Sequence, residues 1–198
     1  PFLSHDIARF MDYIMSKYEG IIGKIVVITN GTVVPDEETF RALRQYCVEV
    51  RISDYTDVVP YQRKLGELIN KLENNKVDYQ SIKFDEWLDM GKPNENISMG
   101  ETPEEIREHM LRCNGRCQFL CEGKYFYCSR QWAAEGAFRY QLAEGDYLKL
   151  DELVKDLRVG KEKLLNFHIG NLEKGYCQYC QICKGFDSDT VVKAGVQI

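Results

Sequence analysis

The sequence predicts an α/β chain whose first half is built from parallel strand–helix units and whose second half is a smaller α+β, cysteine-rich region. Three observations carry this. Helix-spaced apolar residues alternate with short β-branched runs up to about residue 85. A Gly-, Pro- and Asn-rich stretch, "MGKPNENISMGETPEE", then breaks the pattern. Beyond it lie all but one of the eight cysteines. The expected domains are therefore 1–92 and 93–198.

Ser4 is placed to cap a first helix carrying Ile7, Phe10, Met11, Ile14 and Tyr18, and Gly20 ends it. "KIVVITNGTVV" reads as a buried strand entering a loop at Asn30-Gly31. Pro35, Asp36 and Glu37 start a second helix through Phe40 and Leu43. "CVEVRISDY" is the next strand, opened by a core Cys47. Leu65, Leu68, Ile69 and Leu72 mark a third helix, and "VDYQSIKF" another strand. Parallel units of this kind bind ligands at the C-terminal ends of their strands. Those ends carry Thr29-Asn30, Ser53-Asp54 and the stretch around Asp85.

In the second half, "TPEEIREH" reads as a helix N-terminus with acids facing the dipole. "QFLCEGKYFYC" reads as a β-hairpin turning at Glu122-Gly123, with Gly115 and Gly123 flanking the cysteine run. Two short helices are expected around Leu153–Leu157 and Lys161–Phe167. Trp87 and Trp132 are expected to be partly buried. His168 is expected at a helix end, in a capping or surface role.

Composition narrows the function. At 198 residues and 44% hydrophobic, the chain can bury a core. A net charge of -5 without a basic block argues against a nucleic-acid surface. The longest apolar run, in "IIGKIVVITNG", is too short for a bilayer, so no membrane partner is expected. "PFLSHDIARF" has neither the basic nor the apolar region of a signal peptide. The expected location is cytoplasmic, where structural disulfides are rare and clustered cysteines bind metal or do redox chemistry. With Pro1 leading, the chain is expected to be processed, trimmed or a fragment.

Cys113, Cys117, Cys121 and Cys128 lie in and before the hairpin, and Cys177, Cys180 and Cys183 come some fifty residues on. A hairpin and a distant C-x-x-C loop together can surround one centre with four thiolates. Spacing leaves zinc and an iron–sulfur cluster equally open. A dithiol exchange role for "CQYC" is a weaker third reading, because no helix start follows it to lower a thiol pKa. His5, His109 and His168 lie far apart and suggest no nucleophile–base pair.

Taken together, "PFLSHDIARFMDYI", "IVVITNGTVV" and "VEVRISDY" resemble the middle of a radical S-adenosylmethionine protein. Pro1-Phe2-Leu3 matches the residues just after the glutamate of that family's Gly-Gly-Glu-Pro motif, and Thr29-Asn30-Gly31 its third-strand motif. "RCQFLCEGKYFYCSR" and "CQICKGFD" are similar to the auxiliary-cluster domain called SPASM, or Twitch in its single-cluster form.

The resemblance implies the later units of a partial TIM-like (β/α)6 barrel followed by an auxiliary-cluster domain. It implies that Thr29, Asn30, Ser53 and Asp54 bind S-adenosylmethionine, and that Cys117, Cys128, Cys180 and Cys183 hold an auxiliary 4Fe–4S cluster. Cys113, Cys121 and Cys177 fall outside the pattern, although Cys177 also forms a C-x-x-C with Cys180. Tyr125, Phe126 and Tyr127 would shield the cluster.

The family's C-x-x-x-C-x-x-C, which holds a second, catalytic 4Fe–4S cluster, is absent. The expectation is thus the C-terminal portion of an oxidoreductase, with an exposed leading edge and inactive alone. Its full-length parent would generate a 5′-deoxyadenosyl radical for hydrogen abstraction. The partners would be a small-molecule or peptide substrate and reduced flavodoxin or ferredoxin as electron donor. The alternative is a non-catalytic interaction domain stapled by zinc or a cluster.

Overall fold

A computed structural model describes residues 1–113 and 117–194; Gly115 lies outside the described residues. The chain divides into two compact units. One is Pro1–Trp87 with the C-terminal stretch that begins at Val192, and the other is Leu88–Val191. Both mix helices with small sheets. No helix among the described residues is long and apolar enough to cross a membrane.

The first unit holds β1 (Val26–Thr29), β2 (Glu49–Asp54) and β3 (Tyr79–Lys83) in one parallel sheet, in that spatial order. Helices α1 (Ile7–Tyr18), α2 (Glu37–Gln45) and α3 (Gln62–Asn74) complete it. Side chains alternate across a strand. Val27, Val50 and Ile52 accordingly share a core with Met11, Phe40, Leu43, Leu68 and Leu72. The intervening residues Ile28, Arg51 and Ile82 are exposed. The near-continuous apolar runs imply strands buried on both faces; here helices cover only one, and β3 is exposed along most of its length.

Local chemistry departs from the sequence reading in three places. Helix α1 has Asp6, not Ser4, at its N-cap; the Ser4 hydroxyl accepts the Asp6 N–H, and Phe10 and Tyr18 face solvent. Cys47 is exposed in a left-handed turn (φ 49°) ahead of β2, because the chain must reverse between α2 and the strand. Trp87 is exposed and packs edge-on to Tyr55. Elsewhere the local signal holds: Asp36 caps α2 by accepting the Thr39 N–H at 2.8 Å, at the helix start expected from the sequence.

Glu49 is buried at the start of β2 between Lys24 and Arg51 (Arg51 Nε to Glu49 Oε1, 2.6 Å). These partners, Arg51 foremost, hold its carboxyl below its ordinary value near 4.5. A depressed folded pKa gives stabilisation that is complete above the unfolded value and is lost as pH falls through the folded one. The stability of Glu49→Gln should therefore fall less steeply than that of wild type as pH drops below about 4.5. Urea denaturation midpoints across that range measure the difference.

The chain passes from the first unit to the second on β4 (Glu86–Leu88), and α4 (Pro103–Arg112) is the second unit's first helix. Helix α4 opens with a capping box in which Thr102 and Glu105 exchange hydrogen bonds, with Pro103 in the first turn. β5 (Phe119–Cys121) and β6 (Lys124–Phe126) form the expected hairpin, with Glu122 and Gly123 both at positive φ in the turn. α5 (Ser129–Phe138) follows, then β7 (Tyr147–Lys149), which pairs antiparallel with β6. α6 (Leu150–Leu153) and α7 (Leu157–Ile169) come next, and β8 (Val191–Lys193) pairs with β4.

Helix α7 is longer than the sequence suggests and ends at Gly170 in a left-handed cap, φ 82°. Trp132 is exposed against Phe119, and Tyr125 Oη lies 2.8 Å from His168 Nδ1 on exposed surface.

Gly160 makes the α6–α7 corner possible. A Cβ there would sit 1.9 Å from the Leu153 carbonyl oxygen, and a backbone atom cannot swing aside. Gly160→Ala should destabilise the second unit by about 1–3 kcal/mol, the usual cost of overpacking, read as a lower Tm.

Candidate metal centre

Three segments deliver thiols to one region of the second unit. Cys113 caps the C-terminus of α4. Cys128 comes just after the hairpin and caps the N-terminus of α5. Cys177 and Cys183 flank a 3-10 turn, Gln178–Ile182, and Cys180 lies within it. Among the described residues none of the eight cysteines is in a disulfide.

The thiols of these segments lie near enough to shift one another's pKa values. Burial foremost, with charge on Cys180 and Cys183, pushes the Cys128 thiol up to about 12. Cys180 is raised by a side-chain hydrogen bond with Cys177, by burial, and by charge on Cys177 and Cys113 among others. Cys183 is raised by burial and by charge on Cys180 and Cys113. Cys113 Sγ is also close to Gly185: a Cβ on that glycine would meet it at 3.2 Å and the His109 ring at 3.5 Å. Gly185 sits at φ +64°, a backbone conformation that favours glycine.

Each placement has a local cause. The Cys128 sulfur accepts the Gln131 N–H while Gln131 Oε1 accepts the Cys128 N–H at 3.0 Å, a capping box with cysteine in the serine's role. A second backbone N–H, from Arg130, also points at this sulfur. The Gly185 N–H points at the Cys183 sulfur, and the Arg130 charge lowers that thiol's pKa.

Asp146 anchors the C-terminal loop. Its carboxylate accepts the N–H groups of Gln178 (2.6 Å) and Tyr179 (3.1 Å), at the start of the turn that carries the cysteines. His109 is buried, with Nε2 2.8 Å from the Cys183 carbonyl oxygen.

Of the sulfur ligands the resemblance implies, Cys128, Cys180 and Cys183 lie in one region, near enough to shift one another's pKa values. Cys117 is exposed, and it is Cys113 whose charge reaches Cys180 and Cys183. Phe126 and Tyr127 are buried in the surrounding cores, and Tyr125 is half-buried. Cys121 packs at the edge of the core that includes Cys183.

As the side chains stand, no three His, Cys, Asp or Glu among the described residues are close enough to hold a metal ion. The donor set nonetheless fits one. Buried thiols that repel one another's charge stay protonated unless a cation compensates them. Backbone N–H groups already aim at two of the sulfurs. Beside them, Arg130 Nε and Gln131 Nε2 are buried with no hydrogen-bond partner among the described residues.

The first unit carries a separate cleft of about 370 Å³ at the C-terminal ends of β1 and β2, lined in part by Phe2, Thr29, Asn30, Ser53 and Tyr55. Asn30 Oδ1 accepts both the N–H and the hydroxyl of Thr32, and Thr29 Oγ1 accepts the Gly31 N–H. Gly31 is required here, at φ +75° with a Cβ position 2.7 Å from Leu65 Cδ1. Asp54 is buried and binds the Thr56 N–H at 2.9 Å, and it does not line the cleft.

Neither a family model nor a curated protein matches the chain.

Some of the site lies beyond the reach of sequence patterns. Cys113, at the C-cap of α4, falls outside the family pattern, and Asp146, just ahead of β7, gives no signal of its own. The C-x-x-Q of Cys128 and Gln131 is the one pattern that could have revealed α5.

Proposed function

We propose that this chain is the C-terminal portion of a radical S-adenosylmethionine oxidoreductase, and that its second unit holds an auxiliary iron–sulfur cluster. The observation that carries the reading is the convergence of Cys128, Cys180 and Cys183, with Cys113, from three segments. N–H donors already aim at the Cys128 and Cys183 sulfurs. Cys113 is proposed as the fourth ligand, where the resemblance implies Cys117. When bound, the cluster supplies one-electron chemistry or a site for substrate, and ligands and nearby hydrogen bonds set its potential.

The residues of this chain do the holding. Asp146 fixes the loop of Cys177, Cys180 and Cys183 through two N–H bonds. Gly185 lets that loop approach Cys113. Buried Phe126 and Tyr127 keep water from the region.

In the first unit, the parallel sheet with its open face supports the later units of a (β/α)6 partial barrel. The cleft at Thr29, Asn30 and Ser53 supports contacts to S-adenosylmethionine; Asp54 would position the loop instead of touching it. The proposed setting is the reducing cytoplasm. The proposed partners are a small-molecule or peptide substrate and reduced flavodoxin or ferredoxin.

Anaerobic reconstitution with iron and sulfide tests the reading. The expected result is a brown protein with stoichiometric iron and acid-labile sulfide bound to this chain. A colourless protein that retains one zinc would overturn it in favour of a zinc-stapled interaction domain.

A further inference from the structure

Two donors in the first turn of α5 have no evident purpose within the protein. Gln131 is 1% exposed, and its amide is used on one side only: Oε1 accepts the Cys128 N–H, while Nε2 has no partner among the described residues. Arg130 is held through one nitrogen, Nη2, which donates to the Gly91 carbonyl at 3.1 Å, while its Nε is buried and unpartnered among the described residues. A buried donor left without an acceptor is destabilising. Both follow Cys128 in the first turn of the helix it caps, and the Arg130 charge already reaches Cys183 and Tyr179. Donors and positive charge gathered there complement negative charge on sulfur.

We propose that Arg130 Nε–H and Gln131 Nε2–H donate to the sulfur atoms of the bound cluster and thereby raise its reduction potential; this rests on the cluster reading above. Reduction adds one electron, taken from a low-potential flavin or iron–sulfur donor protein. It places more negative charge on the sulfurs without breaking a bond. N–H donors stabilise that added charge, so they favour the reduced state. The two residues are positioning residues: they act through the cluster's electrostatics and do not ligate it.

The experiment is an anaerobic redox titration of the reconstituted chain, monitored by EPR, with iron and acid-labile sulfide measured on every sample. Gln131→Glu keeps an oxygen for the Cys128 N–H and replaces the free donor by an anionic oxygen. Arg130→Lys keeps the charge without the Nε–H, and Arg130→Met removes both. At the wild-type midpoint, Gln131→Glu and Arg130→Met should each lower the reduced-to-oxidised ratio about tenfold, a shift of about 59 mV for one electron. Arg130→Lys should fall between Arg130→Met and wild type.

Variants with full iron and an unchanged midpoint overturn the inference alone. So do variants that lose iron while the remaining fraction keeps the wild-type midpoint, because that is what a merely structural role would give. Wild-type protein that takes up no iron overturns the cluster reading and the inference with it.

Discussion

Serine in place of Cys128, Cys180 or Cys183 is expected to abolish metal binding by the second unit. Each is one of the four proposed ligands, and a hydroxyl is a far poorer ligand for iron or zinc than a thiolate. Metal binding and folding are coupled when the ligands come from separate segments. Each variant should therefore also lose the rise in Tm that reconstitution gives wild type.

The decisive comparison is Cys113→Ser with Cys117→Ser. Cys113 Sγ lies where a Gly185 Cβ would touch it, and its charge reaches both Cys180 and Cys183. Cys117 is exposed. Cys113→Ser should lose bound metal, and Cys117→Ser should retain it. The opposite outcome would return the fourth ligand to Cys117, as the hairpin pattern implies. Metal content per chain after desalting, with the melting curve of the same sample, reads both effects.

Much of the fold is legible in the sequence because it rests on short-range signals. The β-branched runs mark β1 and β2, Asp36 marks the start of α2, and Glu122-Gly123 marks the hairpin turn. Helix α5 escapes such a reading for a physical reason. "SRQWAAEGAF" has no clear apolar stripe, and its cap is a cysteine, a residue without a capping reputation.

The site is legible only in part. Cys128, Cys180 and Cys183 enter only through the family resemblance, and which other thiol stands beside them depends on where α4 ends, a tertiary fact. Asp54 shows the converse. It stands at the end of a strand as a ligand-binding residue should, but a backbone N–H two residues on claims its carboxylate.

The stability of the proposed centre should depend most on Asp146, a residue outside the proposed ligand set. It is 2% exposed, and its two oxygens accept the Gln178 and Tyr179 N–H groups at 2.6 and 3.1 Å. Those donors begin a 3-10 turn, whose first N–H groups have no partner within the turn itself. Asp146→Ala strands both in a buried setting, at about 1–3 kcal/mol each, and opens a small void besides. Against a typical domain stability of about 5–15 kcal/mol, that is a large fraction.

Asp146→Asn separates the two contributions. It keeps one acceptor oxygen but turns an N–H toward the other donor, so it should lie between wild type and alanine. Urea denaturation of the metal-free chain should therefore rank wild type above asparagine and asparagine above alanine. Because the turn carries Cys180 and leads to Cys183, the alanine variant should also bind metal more weakly although every thiol is present. An alanine variant as stable as wild type would show that the loop of Cys177, Cys180 and Cys183 is held by its packing alone, with the Asp146 hydrogen bonds incidental to it.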